Sequence, residues 1–93
     1  MFSCVVGMYG LPAEVTELRE VEIELGDGAR LRDMIAALRR EIPALEGDII
    51  CAAEDRLTED YAFNINGRFY QDDNGLQVKP GDRIALLLLA SGG

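Results

Sequence analysis

Ile84-Ala85-Leu86-Leu87-Leu88-Leu89 is apolar at six successive positions, and Ala90-Ser91-Gly92-Gly93 follows it. A continuous apolar run of this length is strand-sized, and a strand that is apolar on both faces is buried on both sides, which places it in the middle of a sheet. Lys79-Pro80-Gly81-Asp82, just before it, reads as a reverse turn with proline at its second position. The sequence therefore predicts a central strand, starting at Arg83, that issues into a short arm ending in two glycines.

Outward from this strand the apolar period changes from segment to segment. Residues 2–8 alternate, with Phe2, Cys4, Val6 and Met8 on one face, and Tyr9-Gly10-Leu11-Pro12 breaks the pattern into a loop expected over residues 9–19. Glu20-Val21-Glu22-Ile23-Glu24-Leu25 alternates strictly, the pattern of a half-buried strand with Val21, Ile23 and Leu25 inward. After Gly26-Asp27-Gly28 the period becomes helical: Leu31, Met34, Ile35, Leu38 and Ile42 form one stripe, and Arg32, Asp33, Arg39 and Arg40 the other side. Pro43 ends this helix near Glu41 because the residue before a proline avoids helical geometry. Arg30 stands where a Ser or Thr cap is usual, so the helix start is weakly signalled.

Residues 44–60 read as an insertion loop with a short strand or turn, acidic at Glu46, Asp48, Glu54, Asp55, Glu59 and Asp60. Tyr61-Ala62-Phe63-Asn64-Ile65, the two-residue turn Asn66-Gly67 and Arg68-Phe69-Tyr70 form a hairpin. Hairpin, helix, then two or three strands with the last one central are most simply satisfied when the last strand lies beside the first and parallel to it. The single helix then crosses one face of the sheet. This is an α+β fold of the ubiquitin-like β-grasp type: a mixed sheet of four to five strands with one main helix, forming a single domain over residues 1–93 with a flexible tail at 90–93. Ile84, Leu86 and Leu88 share one face and Leu87 and Leu89 the other. One helix covers one face only, so Leu87 and Leu89 are either covered by residues 44–60 or form a partner surface.

Composition narrows the function. The net charge of −8 repels phosphate backbones, which argues against nucleic acid as a partner. No apolar run reaches the roughly 18 residues of a membrane span, and the start, Met1-Phe2-Ser3-Cys4, lacks the basic region of a signal peptide, so a cytoplasmic location is expected. Two cysteines and no histidine are too few for a thiolate metal or iron–sulfur site. Both thiols read as structural, with Cys51 the more exposed. There is no phosphate-binding glycine loop and no nucleophile paired with a base, so the chain is expected to be a carrier rather than an enzyme, with no bound cofactor and no metal. Lys79 is the only lysine.

The arm itself carries the chemistry. Without Cβ atoms, Gly92 and Gly93 thread a narrow channel, and an activated glycine has no stereocentre to racemise. A terminal carboxylate held on such an arm beyond a rigid strand reads as the reactive group.

Gly28-Ala29-Arg30-Leu31-Arg32-Asp33-Met34-Ile35, Ile65-Asn66-Gly67, Lys79-Pro80-Gly81-Asp82-Arg83-Ile84-Ala85-Leu86-Leu87 and Ser91-Gly92-Gly93, in this order, resemble the MoaD/ThiS family of ubiquitin-like sulfur carriers. The likeness is nearest to the small subunit of molybdopterin synthase. It departs from that pattern at Leu88-Leu89, where a proline pair is common, and in the acidic insertion at 44–60. The resemblance implies that an E1-like adenylyltransferase uses ATP to convert the Gly93 carboxylate to an acyl-adenylate. Sulfur then displaces AMP to leave a thiocarboxylate, which donates sulfur in molybdopterin synthesis. It implies as partners that enzyme and a large synthase subunit or other sulfur acceptor, contacted through Leu87, Leu89, Ala90, Ser91 and Gly92. Alternatives are a carrier for thiamine or another pathway, a ubiquitin-like protein modifier, and an interaction module with an incidental Gly-Gly.

Overall fold

The computed structural model describes residues 1–11, 19–51, 54–71 and 76–89. In chain order the elements are β1 (Phe2–Tyr9), β2 (Glu20–Leu25), α1 (Leu31–Glu41), a 3-10 turn (Pro43–Leu45), β3 (Tyr61–Ile65), β4 (Arg68–Tyr70) and β5 (Ile84–Leu88). The five strands form one sheet in the order β2-β1-β5-β3-β4. β5 is central, parallel to β1 through Val6↔Ile84 to Tyr9↔Leu87 and antiparallel to β3 through Tyr61↔Leu88 to Ile65↔Ile84. The mixed β-grasp sheet expected from the apolar run is the one observed. Its first strand runs as far as Tyr9, which was expected to open the loop. Most of that loop, residues 12–18, lies outside the described residues.

The helical stripe is buried as its spacing requires: Leu31, Met34, Ile35 and Leu38 are each at most 1% exposed. They pack with Cys4, Val6, Met8, Ile23, Leu25, Phe63, Ile65, Ile84 and Leu86 in one apolar cluster. Burying a side chain such as Phe63 or Leu86 contributes about 1.5–3 kcal/mol each. The weak helix start is remedied locally, since the backbone N–H of Arg30 donates to Asp33 Oδ2 at 2.8 Å. At the other end the N–H of Ile42 donates to the Leu38 carbonyl, and Pro43 turns the chain into the 3-10 turn.

Residues 44–60 resolve the open alternative. Leu45, Ile49, Ile50 and Leu57 join the helix-side cluster, so the apolar side chains of the described part of this insertion extend the core beneath the sheet, on the face opposite Leu87. Arg39 on α1 fastens it. Its Nη1 donates to Asp55 Oδ1 at 2.8 Å, its Nη2 to the carbonyls of Glu54 and Cys51, and its Nε lies 3.0 Å from Glu46 Oε2 without hydrogen-bond alignment. The short strand or turn expected here is the 3-10 turn with isolated bridges from Ile50 to Glu46 and Leu57.

Candidate functional site

β5 positions the site. The register places Tyr9, Leu87 and Ala62 in one row across β1, β5 and β3, and Glu20, Gly7, Ala85, Asn64 and Phe69 in the next row across all five strands. Directly paired residues share a face, so both rows lie on the side away from α1. Tyr9 is 62% exposed, Phe69 59% and Val5 44%. Leu87 is half-buried among them, and Ala62 is buried although it stands outside the helix-side cluster. The result is an apolar, aromatic-bearing surface on the second face of the central strand. Glu20, Glu22 and Glu24 flank it along edge strand β2, and charges on an edge strand oppose pairing with another sheet.

Gly7 shapes this surface. A Cβ built there would stand 2.8 Å from Tyr9 Cε2 and 3.2 Å from its hydroxyl oxygen, so the tyrosine ring occupies the space that a side chain at position 7 would fill. Gly10, at φ +74°, follows Tyr9 and faces Leu88. A hollow of about 530 Å³ beside the ring is lined by Tyr9, Asn64, Asn66, Arg83 and Ala85, at the end of β5 where the strand begins.

The other end of β5 holds the arm. The N–H of Leu89 donates to the Asp60 carbonyl at 2.7 Å, extending the β3 pairing by one residue past Leu88. Gln71 Nε2 in turn donates to the carbonyls of Glu59 and Tyr61, fixing the segment that receives Leu89. The arm is therefore anchored to the sheet up to Leu89. Leu88, assigned from alternation to the core face, is 44% exposed because it pairs with Tyr61 at the margin of the sheet. Of the residues expected to meet partners, the structure places Leu87 on the open face and Leu89 at the strand end. Ala90, Ser91, Gly92 and Gly93, the last of them expected to be the reactive residue, lie outside the described residues.

Tyr9, Phe69 and Gly7 were not singled out from the sequence. The signal was present for Tyr9 and Phe69, which fall on the odd, outward positions of alternating strands. The pairing that brings them level with Leu87 and Asn64 is visible only in the sheet.

Burial pushes the Cys4 thiol up from its ordinary value, with the Asp82 charge adding to the effect. Tyr61 is raised by burial first and then by Asp60 and Asp48. Neither group faces the open surface. Among the described residues no cluster of His, Cys, Asp and Glu is arranged to hold a metal, and no helix is long and apolar enough to cross a membrane.

Comparison with known proteins agrees with this geometry. The ThiS family model matches residues 6–93. A curated relative from Chlamydomonas reinhardtii, the molybdopterin synthase sulfur carrier subunit, is 30% identical over 80 residues, which cover 86% of each chain. Among solved structures, SAMP1 from Haloferax volcanii superposes with a TM-score of 0.80 at 27% identity, over 99% of this chain and all of that one. A putative molybdopterin converting factor subunit 1 from Pyrococcus furiosus gives 0.75 at 23%, over 97% and 100%, a likeness of fold. The chain belongs to the ThiS family of ubiquitin-like sulfur carriers, proteins that carry sulfur rather than catalyse its transfer.

Proposed function

We propose that this protein carries sulfur as a thiocarboxylate on Gly93 and delivers it to a molybdopterin-type synthase, in which it is the non-catalytic small subunit. The observation that supports this most directly is the arm. Ser91-Gly92-Gly93 lies within the match to the ThiS family model, and the strand before it is central, clamped between β1 and β3 and held as far as Leu89. The name of the Chlamydomonas relative supports the molybdopterin pathway.

A carboxylate is a poor electrophile near neutral pH because it is ionised, so an E1-like enzyme first converts it to an acyl-adenylate with ATP. Sulfide then forms the C–S bond as the C–O bond to AMP breaks, leaving the thiocarboxylate. A persulfide does the same to give an acyl disulfide, whose S–S bond a second thiol then cleaves, releasing the thiocarboxylate and forming a disulfide. The enzyme's channel takes Ala90, Ser91, Gly92 and Gly93, while Leu87, Leu89 and the apolar surface around Tyr9 dock against its body. Fully desolvated aromatic anchors of this kind dominate binding energy at interfaces.

A second reading, a protein modifier that passes the same activated carboxyl to a lysine, is favoured by the superposition on SAMP1 and on a second Haloferax volcanii structure described as small archaeal modifier protein 1. The intact mass after incubation with ATP, an E1-like enzyme and a sulfur source tests the carrier reading. A gain equal to one oxygen replaced by sulfur, absent when Gly93 is deleted, is expected. An unchanged mass with an enzyme competent on another carrier overturns it.

A further inference from the structure

The geometry points to the free edge of β2 as a docking site for an extended, basic segment of a partner protein, which joins the sheet as an added strand with Lys or Arg at alternate positions. β2 is paired with β1 on one side only, and it is the longer of the two edge strands, six residues against three in β4. An unpaired edge is a row of backbone donors and acceptors open to another chain. Which residues offer them follows from one bond. The Met8 N–H donates to the Arg19 carbonyl at 2.7 Å, continuing the register in which Gly7 faces Glu20. Pairs that exchange such bonds alternate along an antiparallel ladder, so Val21, Ile23 and Leu25 turn their backbone groups to β1. Glu20, Glu22 and Glu24 turn theirs outward, to the free edge.

The same three residues choose the partner's charge. Their side chains stand on the face away from α1, about 6.8 Å apart along the strand. Their partners on β1 are Gly7, Val5 and Ser3, none of which carries a counter-charge. Among the described residues, none of the three carboxylates makes an ion pair or a hydrogen bond. A residue set directly opposite each glutamate shares its face, where a like charge repels and an opposite charge attracts. A second copy offering its own β2 would set glutamate against glutamate, so the groups that disfavour self-pairing are the ones that attract a basic strand. The net charge of −8 adds to that attraction. The intervening residues of the added strand point towards α1, over a groove of about 440 Å³ whose lining includes Met1, Ile23, Ala37, Arg40 and Glu41. Ile23 and Ala37 are buried, and Arg40 and Glu41 put one charge of each sign on the helix wall. This row therefore takes aliphatic side chains, of which the β-branched suit a strand best. β2 and β1 separate the added strand from β5, so Leu87 stays uncovered.

The test titrates the full chain, isotope-labelled for NMR, with a capped hexapeptide that alternates lysine and valine. Its glutamate–valine counterpart and a sorted peptide, with the lysines together before the valines, serve as comparisons. The alternating lysine peptide is expected to bind, more weakly as salt rises, and to slow amide exchange at Glu20, Glu22 and Glu24, whereas Val21 and Ile23 are already paired to β1. Glu22→Lys should weaken binding about tenfold, because an opposite-charge pair becomes a like-charge one, and an unchanged spectrum in β1 and α1 would show that the variant keeps its fold. Absence of binding by the alternating lysine peptide overturns the assignment, as does equal binding of the glutamate peptide or undiminished binding to Glu22→Lys. Equal binding of the sorted peptide, or binding without new protection at those three amides, overturns it too and shows a diffuse attraction to an acidic surface.

Discussion

The ring of Tyr9 lies across Gly7, with Cε2 2.8 Å from where a Cβ at position 7 would stand. The aromatic group is thereby laid on the strand it belongs to, next to Leu87 on β5. Gly7→Ala should lift the ring and disturb the docking surface while the core stays intact. We expect a stability change within about 1 kcal/mol, typical of a surface position, and a loss of affinity for the activating enzyme of about tenfold, equivalent to ~1.4 kcal/mol. Thermal unfolding and titration calorimetry read the two effects, and unchanged affinity would remove Tyr9 from the interface.

Leu86 and Leu87 are neighbours with opposite fates. Leu86 is 0% exposed in the core, and Leu87 is half-buried on the open face. Leu86→Asp should unfold the domain, because an unpaired charge buried there costs several kcal/mol. Leu87→Asp should remain folded and lose partner binding. Circular dichroism with a pull-down on the activating enzyme separates the outcomes, and an unfolded Leu87→Asp would count against a docking role for this face.

Arg39 reaches Asp55 and the backbone of Glu54 and Cys51 from α1. Arg39→Ala should cost about 1–3 kcal/mol through the lost charge-assisted bonds. It should speed amide exchange in residues 46–57 far more than in β1 or β5. Uniform acceleration across the sheet would show that the insertion and the sheet open as one unit.

The raised thiol of Cys4 has a pH consequence. The folded state holds that proton more tightly than the unfolded state, so the contribution is fully present below the ordinary thiol value of 9.0 and is lost as pH rises past it towards the folded value. Tyr61, raised from 10.0, acts in the same direction at higher pH. Stability measured by urea unfolding should therefore fall above about pH 9. In native protein, alkylation followed by mass should label the half-buried Cys51 well before the buried Cys4. Equal rates would contradict the burial of Cys4.

Gly92→Val should leave the unfolding midpoint unchanged, since the arm lies beyond the last strand, and should stop adenylation by narrowing what passes the enzyme's channel. Release of pyrophosphate is the readout. Normal adenylation of this variant would remove the channel argument for the two glycines.

The sequence by itself determined the local elements of the fold. Period-2 alternation in β1 and β2, the 3.6-residue stripe of α1 and the Asn66-Gly67 turn are set by neighbours a few residues apart. Six apolar positions in succession sufficed to make β5 central. Only the tertiary structure decided which face residues 44–60 would serve, because an apolar set such as Ile49, Ile50 and Leu57 says that it is buried and not against what. It also joined Ile65-Asn66-Gly67 to Lys79-Pro80-Gly81-Asp82, through Asn66 Oδ1 accepting from the Arg83 N–H and Asn66 Nδ2 donating to Asp82. Such bonds span long stretches of chain and follow from strand pairing, whose register no local pattern encodes. The same pairing laid Tyr9 and Leu87 side by side and left the first face buried and the second open, since one helix can cover only one side of a five-stranded sheet.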